Sequence, residues 1–489
     1  MTLLSPDLTG ISDTFKQFLA GLSAYSLAAI VPAVLSLAAL TIFTRVFSPA
    51  AFGRYSIALL VAGTGSTLLF GWLGRSIIRF ASEWDRDDLV GTVFTVMVAI
   101  GVGVAVLGTV GYVGFSQYLG QYEVFYFATL GFLITQGVYE PLIALYQATL
   151  NPKLVSLFRS LQAVLAISLA VVLALFVFDH IVGWLWGAMT AMVITVGAMI
   201  AVSGQLRTVP KVDSETLAQV TGYGLPMLGW IVGDPLLNQA DRLLIEFIQG
   251  SAAVGIYASN YSLVDRGLRL ALIPVLNTVQ PIVIDRWAGD NEQEIERLLG
   301  RFSRYFLLIG LPCLLLVAAF SRPLSTVLLG PEFHEGYIVI PVVGVGVFLW
   351  SFANVGQIRL EIEQQTSLMS RGLLAVVAFN IVANVPLITA FGYIGAAIGT
   401  VLSYGVYTVF VFVVARERIE WNLPPGTVRN VLAAGVAMGC PPALLYAGGL
   451  YSPVRLFGVS VLSVAAYLAV LYLSGEITND EIASLRALV

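Results

Sequence analysis

The residues of this sequence that could do chemistry are charged side chains within or beside long apolar runs. Seven of them fall between residues 234 and 269: Asp234, Asp241, Arg242, Glu246, Asp265, Arg266 and Arg269. A charge near the centre of a bilayer costs roughly 2.5–3.5 kcal/mol on insertion scales, so it normally faces a partner or a hydrated cavity. A carboxylate in such a place could hold a proton or a cation, whereas an arginine stays charged and can bind phosphate oxygens bidentately.

The spacing of these residues groups them on helix faces. Asp234 and Asp241 share one face with Asn238, at positions i, i+4 and i+7. Arg266 and Arg269 are three residues apart, which also puts them on one face, and Asp265 precedes Arg269 by four, the spacing of an intrahelical ion pair. We interpret the two arginines as candidate ligands of an anion and the three aspartates as candidate ion-coupling groups. The alternative is that the arginines pair with Asp265 and with Asp234 or Asp241, and so lock two helices together.

Two further motifs lie in the first third of the chain. Arg75 and Arg79 form an i, i+4 pair at the end of an apolar run, where they could contact an anion or simply anchor the helix at the membrane surface. Glu140 precedes Pro141 inside another apolar run. A proline frees backbone carbonyls that could help to ligate a cation, so Glu140 is a candidate proton or cation site, although it could instead satisfy a neighbouring donor.

Composition predicts the kind of secondary structure that carries these residues. The chain has 489 residues, of which 58% are hydrophobic and 11% charged, and its mean hydropathy is +0.88. A soluble domain is about 25% charged, so a soluble enzyme, a disordered protein and a nucleic-acid-binding module are excluded. Apolar runs of roughly 19 residues predict an all-α polytopic membrane protein with about 14 transmembrane helices. The two cysteines lie in apolar stretches without companion ligands, and we expect no metal and no cofactor.

The fourteen predicted spans are approximate in their ends. They are 20–44, 54–74, 89–115, 122–147, 155–178, 181–203, 219–240, 253–282, 303–328, 337–360, 370–391, 393–415, 427–448 and 454–474.

The basic residues predict the orientation of these spans. With both termini in the cytoplasm, 18 of the 25 Lys and Arg residues lie in or beside cytoplasmic segments, five lie outside and two fall within the eighth span. Cytoplasmic loops of membrane proteins carry such an excess of Lys and Arg. We therefore expect a multi-pass protein of the cytoplasmic (inner) membrane. The longest hydrophilic stretches, 204–218 and 284–302, are too short for a catalytic domain, so an enzyme such as a glycan polymerase or ligase is not expected.

An internal repeat organises the helices. Residues 48–56 read SPAAFGRYS and residues 250–258 read GSAAVGIYA, at an offset of 202, while GAMT at 187–190 and GAAI at 395–398 are offset by 208. The repeated unit is six helices, an even number, so the two copies should be related by a pseudo-two-fold axis along the membrane normal. The predicted organisation is an N-lobe over 1–208, a C-lobe over 209–420, and two C-terminal helices with a cytoplasmic tail over 421–489. Two such lobes indicate a transporter that alternates access by rocking, with a duplicated structural membrane protein as the alternative.

Several short motifs carry a resemblance to a known family. YGLP at 223–226, NQADRLLI at 238–245 and AVGIYA at 253–258 resemble the central signature of the polysaccharide and O-antigen flippases. FGRY at 52–55, GWLGRSIIRF at 71–80 and GYIGAAIGT at 392–400 extend the resemblance, which covers residues 20 to 415 approximately. This family belongs to the superfamily that also holds lipid II flippases and multidrug-and-toxin extrusion transporters. The early Arg-Asp and Ile-Pro-Asn motifs of the lipid II flippases are absent here.

The resemblance implies that the protein flips an undecaprenyl-pyrophosphate-linked oligosaccharide from the inner to the outer leaflet for assembly of a surface polysaccharide such as O-antigen or exopolysaccharide. Arg75, Arg79, Arg266 and Arg269 would then attract the pyrophosphate, and Glu140, Asp234, Asp241 and Asp265 would be the candidates for coupling to H⁺ or Na⁺. The expected partners are the lipid-linked oligosaccharide, membrane lipids and other polysaccharide-assembly proteins, with no nucleic acid. The alternative within the same fold is an ion-coupled exporter of small organic cations, whose site should be apolar and acidic.

Overall fold

The protein is built from α-helices. A computed structural model describes residues 33–81, 86–148, 152–202, 212–287, 292–363, 365–416, 426–449, 452–477 and 481, and these residues form helices and turns without a β-strand. The α-helices are α1 (Ala33–Val46), α2 (Pro49–Phe80), α3 (Arg86–Leu119), α4 (Tyr126–Ala148), α5 (Pro152–Val172), α6 (Val182–Val202), α7 (Ser214–Gly224), α8 (Leu228–Gln249), α9 (Ser251–Trp287), α10 (Glu292–Ala319), α11 (Ser321–Leu328), α12 (Val339–Ile362), α13 (Thr366–Phe391), α14 (Tyr393–Arg416), α15 (Thr427–Ala447) and α16 (Pro453–Leu473).

These helices make the chain a multi-pass membrane protein. Ten stretches of the described residues are long and apolar enough to cross a bilayer, and one of them, Asp88–Ala148, contains both α3 and α4. Helices α8 and α9 fall outside these ten because their charged residues lower the hydropathy, and α1 is described only from Ala33. A helix occurs at each of the fourteen predicted positions, so the predicted all-α polytopic fold is confirmed. Large apolar side chains such as Leu107, Val113 and Phe176 are 73–80% exposed, as lipid-facing residues of transmembrane helices are.

Local sequence signals begin and end the key helices. Ser48 caps α2, because its hydroxyl accepts a hydrogen bond from the backbone N–H of Ala51, and Pro49 occupies the first helical position, where its missing N–H costs nothing. Gly250, with φ +86°, ends α8 and lets the chain reverse into α9 after a single residue. A positive φ of this kind favours glycine over any residue with a Cβ. The abrupt reversal places the beginning of α9 beside the end of α8.

The described helices group into two compact units. The first unit takes the described residues of 35–259 and 373–396, and the second unit takes the described residues of 260–372 and of the chain after 396. In the first unit α2 packs on α4 and α8, and α6 packs on α4 and α5. In the second unit α10 packs on α12 and α15, and α15 packs on α16. The lobe boundaries at residues 208 and 420 follow from the sequence repeat and stay a prediction.

The repeated glycine motifs cross each other inside the first unit. A Cβ on Gly53 would overlap the backbone carbonyl oxygen of Ser251, and a Cβ on Gly255 would overlap that of Pro49. The offset of 202 that relates Gly53 to Gly255 also relates Pro49 to Ser251. The contact is therefore reciprocal, as expected where a local two-fold axis passes between the first turns of α2 and α9.

A buried ionic network closes one end of the second unit. Arg304 of α10 donates from Nε to Glu476 at 2.9 Å and from Nη1 to Glu481 at 2.6 Å. Glu476 also accepts hydrogen bonds from Thr427 at 2.7 Å and from Asn430 at 2.9 Å. Burial opposes ionisation of Glu476, but these hydrogen bonds and the arginine outweigh it and hold its pKa below the usual range. The network fastens the segment after α16 to α10 and α15.

Candidate functional site

A cavity of about 300 Å³ lies inside the first unit, between α2, α4 and α5 with one side chain from α8. This volume falls at the lower end of the range of small-molecule sites in proteins. It is lined by Ser66, Thr67, Phe70, Gly71, Gly74, Arg75, Ile78, Gln136, Gly137, Glu140, Pro141, Ala144, Gln147, Arg159 and Ile231.

Three of the described residues that line this cavity are charged: Arg75, Glu140 and Arg159. Arg159 Nη2 lies 3.4 Å from Glu140 Oε2, and the two side chains are 48% and 50% exposed. Arg75 is also exposed and makes no ion pair with another described residue. Two guanidinium groups and one carboxylate give the lining a net charge of +1, which favours an anionic ligand.

The cavity has room because several residues in its wall have a small side chain or none. On α2, a Cβ at Gly71 would come within 3.1 Å of Ile231 Cγ2, and a Cβ at Gly74 would come within 3.6 Å of Ala144 Cβ. On α4, a Cβ at Gly137 would overlap the ring of Phe70, so α2 and α4 approach each other closely there. Pro141 has no N–H to donate to the carbonyl of residue 137, which removes one helical hydrogen bond at the wall of the cavity.

The cavity contains two of the residues predicted from the sequence and one that the sequence did not single out. Arg75 and Glu140 were selected from different motifs, and the fold brings them to the same lining. Arg159 was counted only among the basic residues of cytoplasmic segments. A usable signal exists in the helix bounds. Glu140 lies eight residues before the end of α4 at Ala148 and Arg159 lies seven residues after the start of α5 at Pro152, so the two residues come to similar depths on neighbouring helices.

Arg79 and the aspartates of α8 lie elsewhere. Arg79 stands over the ring of Phe80, with 5.3 Å from the guanidinium carbon to the ring centroid, and is not part of the described lining. Asp241 is 1% exposed and accepts a hydrogen bond from the hydroxyl of Tyr257 on α9. Asp234 belongs to α8, but its side chain lies outside the described part of the structure.

The charges of α9 belong to the second unit. Arg269 Nε lies 2.5 Å from Asp265 Oδ1, with the two side chains 27% and 32% exposed, so the predicted intrahelical pair is confirmed. Arg266 lies on the same helix and is half-buried. The pairing of Arg269 agrees with the alternative in which charges of this region tie side chains together, and it leaves the role of Arg266 as a prediction.

A comparison with known protein families decides the classification. Residues 42–338 match the family described as polysaccharide biosynthesis protein, and this match spans more than half of the chain. The chain belongs to that family. All the described lining residues of the cavity lie within the matched range.

Two curated relatives of this chain are archaeal. A probable low-salt glycan biosynthesis flippase, Agl15, of Haloferax volcanii is 30% identical over 176 residues, which are 34% of this chain and 36% of the relative. An uncharacterized membrane protein of Methanocaldococcus jannaschii is 23% identical over 255 residues, 49% of this chain and 50% of the relative. The chain thus spans between a third and a half of the length of the curated relatives it matches.

Solved structures share the fold of this chain at low sequence identity. The lipid II flippase MurJ in an inward closed conformation has a TM-score of 0.79 at 11% identity and covers 93% of this chain and 99% of its own. An inward-facing multidrug resistance transporter of the MATE family has a TM-score of 0.64 at 13% identity and covers 80% of this chain and 98% of its own. These likenesses show the fold, which is that of flippases and transporters.

Proposed function

We propose that this protein flips an oligosaccharide linked to a polyprenyl pyrophosphate, such as undecaprenyl pyrophosphate, from the inner to the outer leaflet of the cytoplasmic membrane. The observation that carries the proposal is the cavity in which Arg75 and Arg159 outnumber Glu140. A pyrophosphate diester carries two negative charges, and arginine forks bind phosphate oxygens bidentately. Membership of a polysaccharide biosynthesis family supports a glycan as the remainder of the cargo.

The size and polarity of the cavity suit a head group. Ser66, Thr67, Gln136 and Gln147 add hydroxyl and amide groups to the lining, which can hydrogen-bond a sugar next to the pyrophosphate. A volume of about 300 Å³ holds a pyrophosphate with about one sugar, so the rest of the glycan would extend into water. We propose that alternating access of the two six-helix lobes then carries the head group across.

The two arginines of α9 are proposed as secondary contacts of the pyrophosphate. Arg266 and Arg269 stay charged at any physiological pH and share a helix face. Glu140, Asp234, Asp241 and Asp265 remain the proposed candidates for coupling to H⁺ or Na⁺. The partners engaged by Glu140, Asp241 and Asp265 in the structure also fit purely structural roles.

Export of small organic cations is the weaker proposal. Such a cargo would meet two guanidinium groups for each carboxylate in the described lining, and like charges without compensation repel in a partly dehydrated site. A lining of net charge +1 therefore favours the pyrophosphate-linked cargo over a cation.

Binding of a short prenyl diphosphate that carries one N-acetylglucosamine tests the proposal. Hydrogen bonds to charged groups contribute about 1.5–3 kcal/mol, so Arg159→Gln and Arg75→Gln should each weaken the Kd about tenfold or more. Arg429→Gln removes the same charge from an exposed position outside the cavity and serves as the matched control. In proteoliposomes the same cavity variants should slow the appearance of lipid-linked glycan at the outer face, measured with a membrane-impermeant glycosidase. Unchanged binding and transport in both variants would contradict the proposal.

A further inference from the structure

We propose that Glu140 is a displaceable counter-ion: it holds Arg159 while the cavity is empty, yields that guanidinium to the phosphate of the ligand, and competes for it again at release. This role rests on the proposed function. It adds a residue that weakens binding of the ligand and speeds its release. It assigns to Glu140 an effect opposite to that of the arginines, because its loss should strengthen binding and slow transport.

The geometry of the pair differs from that of two ion pairs of the second unit. Arg159 and Glu140 are 3.4 Å apart and each side chain is about half exposed. Arg304 and Glu481 are 2.6 Å apart at 12% and 14% exposure, and Arg359 and Glu363 are 2.5 Å apart at 3% and 18% exposure. Low dielectric strengthens the attraction within short buried pairs such as these two. A long and exposed ion pair contributes little to stability. The cavity pair is therefore one that a competing anion can open.

A phosphate is a better partner for Arg159 than Glu140 is in this geometry. The carboxylate makes a single contact through one guanidinium nitrogen, Nη2. A phosphate can accept two parallel hydrogen bonds from the same fork, and its charge is also attracted by Arg75 in the same lining. The exchange forms two bonds for the one that it breaks.

The displaced carboxylate stays in the wall of the cavity. Glu140 is carried by α4 next to Pro141, and both residues line the same space. Its negative charge consequently remains close to the bound phosphate and repels it. A carrier must release its cargo as well as bind it, so a resident competitor for Arg159 shortens the time that the head group stays bound.

Glu140→Gln separates this role from a structural one. With the prenyl diphosphate N-acetylglucosamine as the probe, the Kd should tighten by about three- to fivefold, the factor that corresponds to the stronger exposed ion pairs. Dissociation of the probe and transport in proteoliposomes should both become slower, so affinity and turnover move in opposite directions. Glu123→Gln is the matched control, because Glu123 is an exposed glutamate of the same unit that hydrogen-bonds Tyr112 outside the cavity, and it should change neither quantity.

A double variant tests whether Glu140 acts through Arg159. In an Arg159→Gln background, Glu140→Gln should tighten binding by less than it does in the wild type, because no guanidinium is left to release. Glu140→Ala is measured in parallel, so that a folding defect of one substitution does not decide the result. If the wild type binds the probe and neither Glu140 variant binds it more tightly, the counter-ion role is refuted while the proposed function stands. If the wild type does not bind the probe, the proposed function itself fails.

Discussion

At the scale of single residues, the cavity presents arginine side chains, in a sequence that contains only three lysines among 25 basic residues. Arg75 and Arg159 differ from lysine in the planar fork that matches two oxygens of one phosphate. Charge alone would be supplied equally well by an ammonium group. In the proposed function, these two side chains therefore supply a geometry that fits phosphate as well as a positive charge.

The buried pair of Asp241 and Tyr257 gives a residue-scale prediction about stability. Asp241 is 1% exposed and Tyr257 is fully buried, and the tyrosine hydroxyl donates to the carboxylate. Tyr257→Phe should destabilise the protein by about 1–3 kcal/mol, because a buried acceptor loses its donor. Thermal unfolding in detergent measures the change.

Tyr112→Phe is the control for that experiment. It removes a hydroxyl that donates to Glu123 at 2.8 Å at an exposed position, where water can replace the lost bond. Its unfolding temperature should stay close to that of the wild type. An equal loss in both variants would show that burial of Asp241 is not the cause.

The sequence identified part of the cavity and missed the rest for a physical reason. The cost of a charge within an apolar run singles out Glu140, and the i, i+4 spacing from Arg79 singles out Arg75. Arg159 did not stand out, because a basic residue near a helix end has an ordinary explanation as a cytoplasmic anchor. The packing of α5 on α4 brings it to Glu140, and a spacing of 19 residues between two helices carries no motif.

At the scale of elements, hydropathy predicted where helices lie better than where they break. The predicted span 219–240 is divided into α7 and α8 by a 3₁₀ turn at Leu225–Met227, which contains Pro226. The predicted loop between residues 240 and 253 is wrong, because α8 continues to Gln249 and only Gly250 separates it from α9. The charges of Asp241, Arg242 and Glu246 lower the hydropathy of this segment without interrupting its backbone hydrogen bonds.

The glycine crossing of α2 and α9 gives the element-scale prediction. A Cβ on Gly53 or Gly255 would overlap a backbone carbonyl of the other helix, and a backbone cannot move aside as a flexible side chain can. Gly53→Ala and Gly255→Ala should each lower the unfolding temperature, and by similar amounts, because the contact is reciprocal. The double variant should cost less than the sum, since one separation of the helices accommodates both methyl groups.

Gly103→Ala controls for the effect of alanine on helix propensity. Gly103 lies inside α3 and has open space where its Cβ would be. The substitution should stabilise the protein by about 0.4–1 kcal/mol through the unfolded chain. Stabilisation by alanine at all three positions would refute the close approach of α2 and α9.

At the scale of the whole molecule, the repeat and the packing describe different properties. The repeat relates Gly53 to Gly255 and Gly187 to Gly395. In the second pair, each glycine packs on the helix that precedes its own. Gly187 contacts Ala170, and Gly395 contacts Leu387. The compact units instead place α8 and part of α13 with α2 to α6. A sequence repeat shows which positions are equivalent in the two copies. It does not show which helices pack against each other. This is why the sequence predicts the helices and their symmetry more readily than their grouping.

The predicted orientation can be tested on single cysteines placed at opposite ends of the helices. The native Cys313 and Cys440 lie in α10 and α15, and replacing both with serine provides the background. Tyr118, which is 76% exposed at the end of α3, should lie outside, and Ser474, exposed just after α16, should lie in the cytoplasm. The excess of basic residues in cytoplasmic segments is the physical reason for this assignment. A membrane-impermeant maleimide should therefore label Tyr118→Cys in intact cells, and should label Ser474→Cys only after the membrane is opened. Labelling of Ser474→Cys in intact cells would invert the orientation, and with it the proposed direction of transport from a cytoplasmic cavity.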